Sequence, residues 1–142
     1  MATRKVLYDT SVYIDALRRA DSSRLLSRGG TGEVLWLSAV VLEELYAGSD
    51  EPTAKLLLRC ERDFGRARRL LVPEQSDWAA TGRLLARIGE KYGYEFIGRS
   101  RLTNDVLLAT SASRCGIVVL TIYARDFDLI AGLLPGFQWE TT

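Results

Sequence analysis

The order of strand-like and helix-like segments in this chain predicts an α/β protein with a short, mostly parallel central sheet covered by helices. Two observations support the prediction. The strand-like runs are continuously apolar, as in sheets covered on both faces, and helical patterns separate most of them. No apolar run reaches the roughly 18 residues of a membrane span, so no membrane segment is expected. The predicted strands cover residues 4–8, 34–37, 70–72, 117–120 and, at an edge, 137–139.

Each predicted helix is recognised by its start and by apolar residues at helical spacing. The predicted starts are Thr10 or Ser11, Ser38, the acidic and proline-containing residues 50–52, Ser76 or Asp77, Thr103, and Arg125. The polar connection before the second strand leaves room for a short helix at residues 22–27. It ends in a glycine-rich turn at residues 29–32, which lacks the lysine of a phosphate-binding loop. Four large aromatic residues are expected in the core, namely Trp36, Phe64, Trp78 and Phe137.

Composition narrows the chemistry available to the chain. Among its 142 residues there is no histidine, which excludes serine–histidine and cysteine–histidine catalysis and histidine-ligated zinc. The net charge is only +1, but sixteen arginines outnumber three lysines. Arginine suits phosphate oxygens through its planar fork, although a GC-rich genome would favour it equally. One helical stripe is either a solvated face or a surface for phosphate or an acidic partner, and consists of Arg59, Arg62, Arg66 and Arg69.

The cysteines and the N-terminus bear on the cellular compartment. Cys60 and Cys115 lie far apart, without the spacing of a metal site, in helix-like or helix-end sequence. We expect buried thiols in a reducing cytosol rather than a disulfide. The first residues lead directly into a strand and lack the features of a signal peptide. A cytoplasmic protein is therefore expected.

Four carboxylates, far apart in sequence, fall where the predicted fold brings strand ends and helix starts together. Asp9 ends the first strand, and Glu44 lies in the helix after the second. Asp105 is predicted in the first turn of a helix, and Asp126 follows the strand at residues 117–120. Parallel sheets bind ligands beyond the carboxyl ends of their strands, and converging carboxylates need a cation. Such oxygen ligands suit Mg²⁺ or Mn²⁺, so metal-assisted phosphodiester hydrolysis is the leading hypothesis.

Each of these carboxylates also has a purely structural explanation. Asp9 or Asp126 could cap the helix that follows it, and Asp105 could be a favourable acid in a first helical turn. Of the adjacent Glu43 and Glu44, one is expected on the solvated surface. Glu44 is favoured for the site because apolar residues surround it at helical spacing.

Four segments in this order resemble PIN-domain ribonucleases, most closely the VapC-type toxins of bacterial and archaeal toxin–antitoxin pairs. They are LYDTSV at residues 7–12, SAVVLEEL at 38–45 with Gly48, NDVLLA at 104–109, and residues 119–127 from VLT to the DF pair. No single segment is specific, but together they span nearly the whole chain. The resemblance implies one PIN-like domain over residues 1–142, folded as a three-layer α/β/α sandwich.

The resemblance also implies an activity and its residues. By position, Asp9, Glu44 and Asp105 match the metal-binding carboxylates, and together with Asp126 they form the implied catalytic set. The implied activity is Mg²⁺- or Mn²⁺-dependent cleavage of RNA. The implied partners are a second copy of the chain and a cognate VapB-type antitoxin, with no membrane. The candidates for substrate contacts are Ser11, Thr121, Arg99 and Arg101.

The chain departs from the family pattern after the last buried strand. Where the family has Thr-x-Asn/Asp-x-x-Asp-Phe, this chain has Tyr123 at the usual polar or acidic position and keeps Asp126 three residues later. Either Asp126 supplies the fourth set of oxygens, or one metal is held more weakly. Tyr123 also favours a second hypothesis, an inactive PIN-like module that binds RNA or a protein. A phosphatase-like or response-regulator-like site ranks lower, because it needs an N-terminal acidic pair and a suitably placed downstream lysine, whereas this chain has a lone Asp9 and no lysine in such a place.

Overall fold

A computed structural model describes residues 3–19, 32–96 and 100–142 of the chain. Its strands are β1 (Arg4–Tyr8), β2 (Glu33–Ser38), β3 (Leu70–Leu71), β4 (Ile117–Thr121) and β5 (Trp139–Thr141). They form one parallel sheet in the order β3-β2-β1-β4-β5. Three predicted features lie outside the described residues: the short helix at residues 22–27, most of the glycine-rich turn, and the side chains of Arg99 and Arg101.

The strands of the sheet centre match the sequence prediction to within one residue at each end. Leu7 in β1 and Val119 in β4 are fully buried, as expected for strands covered on both faces. The edge strand β5 begins two residues later than predicted, because Phe137 turns into the core. Its ring packs against Phe127 with centroids 5.9 Å apart, and the pairing with β4 starts at Trp139.

The helices of the described residues separate these strands. They are α1 (Thr10–Arg18), α2 (Ala39–Ala47), α3 (Glu51–Arg66), α4 (Gln75–Tyr92), α5 (Ser100–Arg114) and α6 (Arg125–Ala131), with a 3₁₀ turn at Tyr94–Phe96. Two predicted starts are confirmed by side-chain caps. Ser38 Oγ accepts a hydrogen bond from the N–H of Val40 at 3.1 Å, and Asp50 Oδ1 accepts one from the N–H of Thr53 at 2.9 Å.

Two other helices begin earlier than predicted. Asp9, rather than either residue after it, is the N-cap of α1, and its carboxylate accepts a hydrogen bond from the N–H of Val12. Glu74 is the N-cap of α4, and Asp77 is its third residue, completing a capping box with the Glu74 N–H at 2.8 Å. Both segments contain several residues able to cap, so sequence alone does not choose among them.

Helix α5 begins at Ser100, three residues before the predicted cap Thr103. The residues between them include arginine and leucine, which are good helix formers and allow one more turn. Asp105 therefore lies in the second turn of α5, and its predicted place in the first turn is wrong.

The strand order distributes the helices over both faces of the sheet. From β1 the chain moves outward to β2 and β3, then crosses to β4 and β5 on the other side of β1. Parallel crossovers are right-handed, so the two directions place α1–α3 on one face and α4–α6 on the other. The packing agrees, because α2 contacts α1 and α3 while α5 contacts α4 and α6. The three-layer α/β/α sandwich is confirmed. None of the helices in the described ranges is long and apolar enough to span a bilayer.

The buried face of α4 does not include the predicted core residue Trp78. Asp77, Thr81, Leu84 and Ile88 recur at helical spacing and are buried. Trp78 is one position further round the helix and is 57% exposed, so this prediction is wrong. The other predicted core aromatics are buried or half-buried, namely Trp36, Phe64 and Phe137.

A buried ion pair joins α4 to α5. Asp77 is 3% exposed, and both of its carboxylate oxygens accept hydrogen bonds from the Arg114 guanidinium at 2.9–3.0 Å. Burial of Asp77 disfavours its charged form and would raise the pKa of its carboxyl. The hydrogen bonds from Arg114 and from the Glu74 N–H favour the charged form more strongly, so the pKa lies below its ordinary value. The sequence pattern indicates Asp77 only as a possible helix cap, and no spacing in it predicts the pair with Arg114.

Candidate functional site

The candidate site lies where the strand order of the sheet reverses. The chain leaves β1 towards β2, whereas β4 lies on the other side of β1. In open parallel sheets the crevice beyond the carboxyl ends of two such strands is where ligands bind. Asp9 directly follows β1, and Thr121 is the last residue of β4. The N–H of Asp9 donates to the carbonyl of Leu120 at 3.0 Å, which fixes the two strand ends side by side.

Both carboxylate oxygens of Asp9 are held by hydroxyl groups. Ser11 Oγ donates to Oδ1 at 2.5 Å, and Thr121 Oγ1 donates to Oδ2 at 2.7 Å. The N–H of Val12 donates to Oδ1 at 3.4 Å. Asp9 thus caps α1 and also faces the crevice, so the capping role and the site role are compatible.

Within the described residues, no cation of the protein balances the charge of Asp9. Asp9 is only 8% exposed, and burial raises the pKa of its carboxyl although Ser11, Thr121 and the backbone N–H of Val12 favour the charged form. Within the described residues, no lysine or arginine forms an ion pair with Asp9. A bound cation would supply that balance.

The structure separates the two adjacent glutamates of α2. Glu44 is half-buried and lines the crevice, where Thr10 Oγ1 donates to its Oε1 at 2.8 Å. Glu43 is exposed and accepts a hydrogen bond from Asn104 Nδ2 at 3.2 Å on a different surface. This placement agrees with the choice of Glu44 over Glu43 made from helical spacing.

The crevice is a cleft of about 310 Å³ that gathers the four candidate carboxylates. Asp9 comes from the end of β1, Glu44 from α2, Asp105 from α5 and Asp126 from α6. The cleft is lined by Asp9, Thr10, Ser11, Glu44, Asp105, Leu108, Tyr123, Arg125, Asp126 and Phe127. Four acids far apart in sequence therefore share one cleft, and Ser11 lies among them.

The donors of the cleft suit a hard divalent cation, but they are not drawn together around one point. The acidic and hydroxyl side chains of the cleft offer oxygen atoms, which are the ligands that Mg²⁺ and Mn²⁺ prefer. Within the described ranges, no three aspartate, glutamate, cysteine or histidine side chains form a group that could hold a metal ion. Like charges repel without a cation, and Asp9 and Glu44 bond to neighbouring hydroxyls instead.

Thr121 is a support of the site rather than part of its surface. Its side chain is fully buried, and its hydroxyl donates to Asp9 while accepting from the N–H of Tyr123 at 3.0 Å. The predicted contact between Thr121 and substrate is therefore corrected to a positioning contact on Asp9. Arg125, at the first position of α6, lines the cleft and was not identified from sequence. Its position next to Asp126 was the available signal.

Asp126 does not cap the last helix. Helix α6 begins at Arg125 after the N-cap Ala124, which makes no side-chain cap. Asp126 is in the first turn, where its charge is still favourable, and it lines the cleft. The capping explanation for this residue is therefore wrong.

The arginine stripe lies away from the cleft. Arg59, Arg62 and Arg66 are exposed on α3, and Arg69 is half-buried beyond the end of that helix. None of the four lines the cleft. Arg99 and Arg101, predicted near Asp105 as RNA contacts, have side chains outside the described residues.

No protein-family model matches the sequence, and no curated protein matches it significantly. Solved structures do match the fold over nearly the whole chain. A chain of DNA-bound VapBC from Salmonella typhimurium has a TM-score of 0.65 and 21% identity, with 98% of each chain covered. A chain of VapBC2 from Rickettsia felis, bound to a DNA fragment from their promoter, has a TM-score of 0.67 and 17% identity, covering 97% of this chain and 98% of that one. VapBC-5 from Mycobacterium tuberculosis is a member of the VapBC family of toxin–antitoxin systems. It matches with a TM-score of 0.54 and 21% identity, and 96% of each chain is covered. At these identities the likeness establishes a shared fold.

Proposed function

We propose that this chain is a metal-dependent endoribonuclease of the PIN-domain type, the VapC-type toxin of a toxin–antitoxin pair. One observation carries the proposal: four carboxylates from four separate elements line one cleft at the reversal point of a parallel sheet. The matching solved structures are VapBC assemblies, and one is described as a toxin–antitoxin system. The sequence motifs that resemble the VapC-type toxins supply the same four acids.

Asp9, Glu44 and Asp105 would hold Mg²⁺ or Mn²⁺, with Asp126 as a further source of oxygens. A divalent cation in such a site lowers the pKa of a bound water and offsets charge on a phosphodiester. The fit rests on the oxygen-only donor set and on the buried charge of Asp9, for which no cation of the described residues compensates. Glu44 would exchange its hydrogen bond with Thr10 for the cation.

The chain's own residues organise the site before substrate arrives. Ser11 and Thr121 fix the orientation of the Asp9 carboxylate by donating one hydrogen bond to each oxygen. Their hydroxyls come from α1 and β4, so the carboxylate is held by two elements packed on either side of it. This preorganisation reduces the reorientation needed at the moment of reaction. Arg125 at the cleft rim is available to a phosphate oxygen.

The proposal includes the partners of such toxins. A VapB-type antitoxin would hold the nuclease inactive, and a second copy of the chain would form a homodimer in the cytoplasm. The match to chains of VapBC assemblies over at least 96% of both chains supports this part.

A second candidate function is an inactive PIN-like module that binds RNA or a protein. Two observations favour it: Tyr123 replaces an acidic or polar residue of the family pattern, and within the described residues the acids are not grouped tightly enough to hold a metal. Metal binding separates the two functions, because an inactive module need not bind Mn²⁺ in the cleft.

The test uses purified, antitoxin-free protein and total cellular RNA, with Mn²⁺, Mg²⁺ or a chelator. We expect discrete cuts that require metal and disappear in Asp9→Asn and Glu44→Gln. Glu43→Gln is the matched control, since it alters the neighbouring glutamate outside the cleft. No cleavage by folded wild-type protein in any lane, or equal cleavage by Asp9→Asn, would reject the nuclease proposal.

A further inference from the structure

An exposed aromatic ring stands at the rim of the acidic cleft. Tyr123 is 70% exposed, yet it lines the same cleft as the carboxylates. Its side chain makes no hydrogen bond or ring contact within the described part of the chain, while its backbone is well fixed. A large aromatic face is thus accessible to a substrate beside the site.

The backbone that carries this ring is tied to the site itself. The Thr121 hydroxyl accepts the Tyr123 N–H at 3.0 Å and donates to Asp9 Oδ2 at 2.7 Å. One buried side chain therefore sets both the orientation of Asp9 and the position of Tyr123. The backbone from which the ring projects therefore has a fixed place relative to Asp9, and the exposed ring is accessible to a substrate.

A cation accompanies the ring on the same rim. Arg125 is two residues further along, exposed, and lines the cleft. Within the described residues Arg125 forms no ion pair, with Asp126 or with any other acid. An aromatic face and a guanidinium that line the same cleft complement one unpaired nucleotide, which offers a base for stacking and a phosphate for a charged hydrogen bond.

We propose that Tyr123 stacks on an unpaired base next to the scissile phosphate, and that Arg125 binds the adjoining phosphate. This inference rests on the proposed ribonuclease function and names the two residues that would hold an unpaired nucleotide next to the cut. Bases in a duplex are stacked on one another and present no free face. Tyr123 is then a specificity residue that selects an unpaired nucleotide at the cut, in place of the polar residue of the family pattern.

The test measures binding of fluorescent 12-nucleotide single-stranded RNA by anisotropy in Mg²⁺. All proteins carry Asp9→Asn, so that bound RNA is not cut. We expect Tyr123→Ala to weaken binding about 5- to 150-fold, the range for loss of one stacked base. Tyr123→Phe keeps the ring and should bind within about twofold of the parent. Tyr94→Ala, which removes a comparably exposed tyrosine outside the cleft, should have no effect.

Two further measurements separate stacking from charge. Arg125→Gln should reduce the slope of log K against log salt by about 0.7, the value for one phosphate contact to a single strand, whereas Tyr123→Ala should leave the slope unchanged. In a second series, each RNA has one abasic nucleotide at a different position. At one position, removal of the base should weaken RNA binding by the protein with Tyr123 and leave binding by Tyr123→Ala unchanged. A blunt-ended duplex of 12 base pairs, which has no unpaired base, should bind equally weakly to both.

Several outcomes would overturn the proposal: unchanged binding in Tyr123→Ala, an equal loss in Tyr123→Phe, an equal loss in Tyr94→Ala, or no abasic position coupled to Tyr123. Because these are binding measurements, they are independent of the cleavage test. If wild-type protein cuts no RNA but Tyr123 shows the expected coupling, the nuclease proposal fails and the stacking proposal stands. If RNA is cut but Tyr123→Ala binds as well as its parent, the reverse holds.

Discussion

Asp9 and Asp77 are both buried aspartates at the N-terminus of a helix, but their charges are balanced in opposite ways. Asp77 lies between α4 and α5, where Arg114 forms hydrogen bonds to both carboxylate oxygens. Asp9 lies at the end of β1, and its donors within the described residues are neutral: the hydroxyls of Ser11 and Thr121 and backbone N–H groups. Burial dominates at Asp9 and raises its pKa, whereas at Asp77 the partners outweigh burial and lower the pKa.

The difference distinguishes a structural acid from a site acid. A charge that serves only the fold is accompanied by its counter-charge, because an unpaired buried charge is costly. At Asp9 the same chain provides hydroxyl donors that orient a carboxylate but leave its charge available to an external cation. Of these two buried aspartates, Asp9, whose charge no cation of the described residues balances, is thus the better candidate for chemistry.

The largest expected effect is on activity. Asp9→Asn should reduce RNA cleavage by about a thousandfold, the scale of losing one preorganised electrostatic group. The free energy of unfolding should not fall by more than about 1 kcal/mol, because a neutral amide is easier to bury than a charge. Asp77→Asn should do the opposite, keeping activity and losing stability. Rates on a defined RNA and thermal unfolding of both variants test the contrast, and equal loss of activity in both would contradict it.

Metal binding should stabilise the protein through the cleft alone. At about 100 times its Kd, Mn²⁺ should add about 2.7 kcal/mol, which is an increase of about 5–10 °C in Tm. Asp9→Asn and Glu44→Gln should abolish most of that increase, and Glu43→Gln should retain it. Thermal scans with Mn²⁺ and with chelator measure the effect. An equal increase in all variants would place the metal elsewhere.

Removing the counter-charge of Asp77 should destabilise the fold without affecting chemistry. Arg114→Leu leaves Asp77 buried and unpaired, and we expect a loss of about 2 kcal/mol, less than for a fully buried pair because Arg114 is about one-third exposed. Arg83→Leu, an exposed arginine of α4, should change stability by less than about 0.5 kcal/mol. Urea unfolding of both variants measures the two losses in free energy of unfolding. Similar losses would mean that the ion pair between Asp77 and Arg114 contributes little to stability.

The two aspartates should also respond to pH with opposite signs. Asp77, whose pKa lies below its ordinary value of 3.8, stabilises the fold above pH 3.8 and loses this contribution as the pH falls through its lowered pKa. Asp9, whose pKa lies above 3.8, opposes folding when charged. That penalty disappears as the pH falls through the raised pKa. With chelator present, the free energy of unfolding of Asp9→Asn should exceed that of wild type by an amount that decreases as the pH falls towards 3.8. The free energy of unfolding of Asp77→Asn should lie below that of wild type by an amount that decreases below pH 3.8.

The smallest expected effect concerns the rim. Tyr123→Asp restores an acid at the position where the family pattern has one, and should increase Mn²⁺ affinity about two- to fivefold, the scale of an exposed charge interaction. Tyr123→Asn serves as the uncharged control. Calorimetric titration of Mn²⁺ measures the change, and a loss of affinity would mean that side chains at this position do not reach the metal.

Sequence patterns predicted the parts of the fold that depend on burial. Continuously apolar runs located β1, β2 and β4 because strands covered on both faces carry no polar alternation. Helix starts were less predictable, since Glu74, Ser76 and Asp77 can each cap a helix and only tertiary packing selects among them. Trp78 was misplaced for a related reason, because a shift of one residue rotates a side chain by about 100° around the helix.

The convergence of the four candidate acids on one cleft was predictable because a parallel sheet brings strand ends to one edge, whatever their distance in sequence. The side-chain contacts that hold the aspartates in place were not predictable. Asp77 and Arg114 form an ion pair although they lie far apart along the chain. Thr121 contacts both Asp9 and Tyr123 through its single hydroxyl group. No periodicity or spacing marks such contacts, which arise only when the helices and strands pack.

The shortness of the outer strands has a consequence for how copies of this chain meet. Both margins of the sheet are very brief: β3 has two residues and β5 has three. A short margin offers few free backbone N–H and C=O groups, so it is a poor template for joining sheets or for aggregation through exposed edges. Self-association of this protein would therefore use side chains on its helices, and the sheet would end within each subunit.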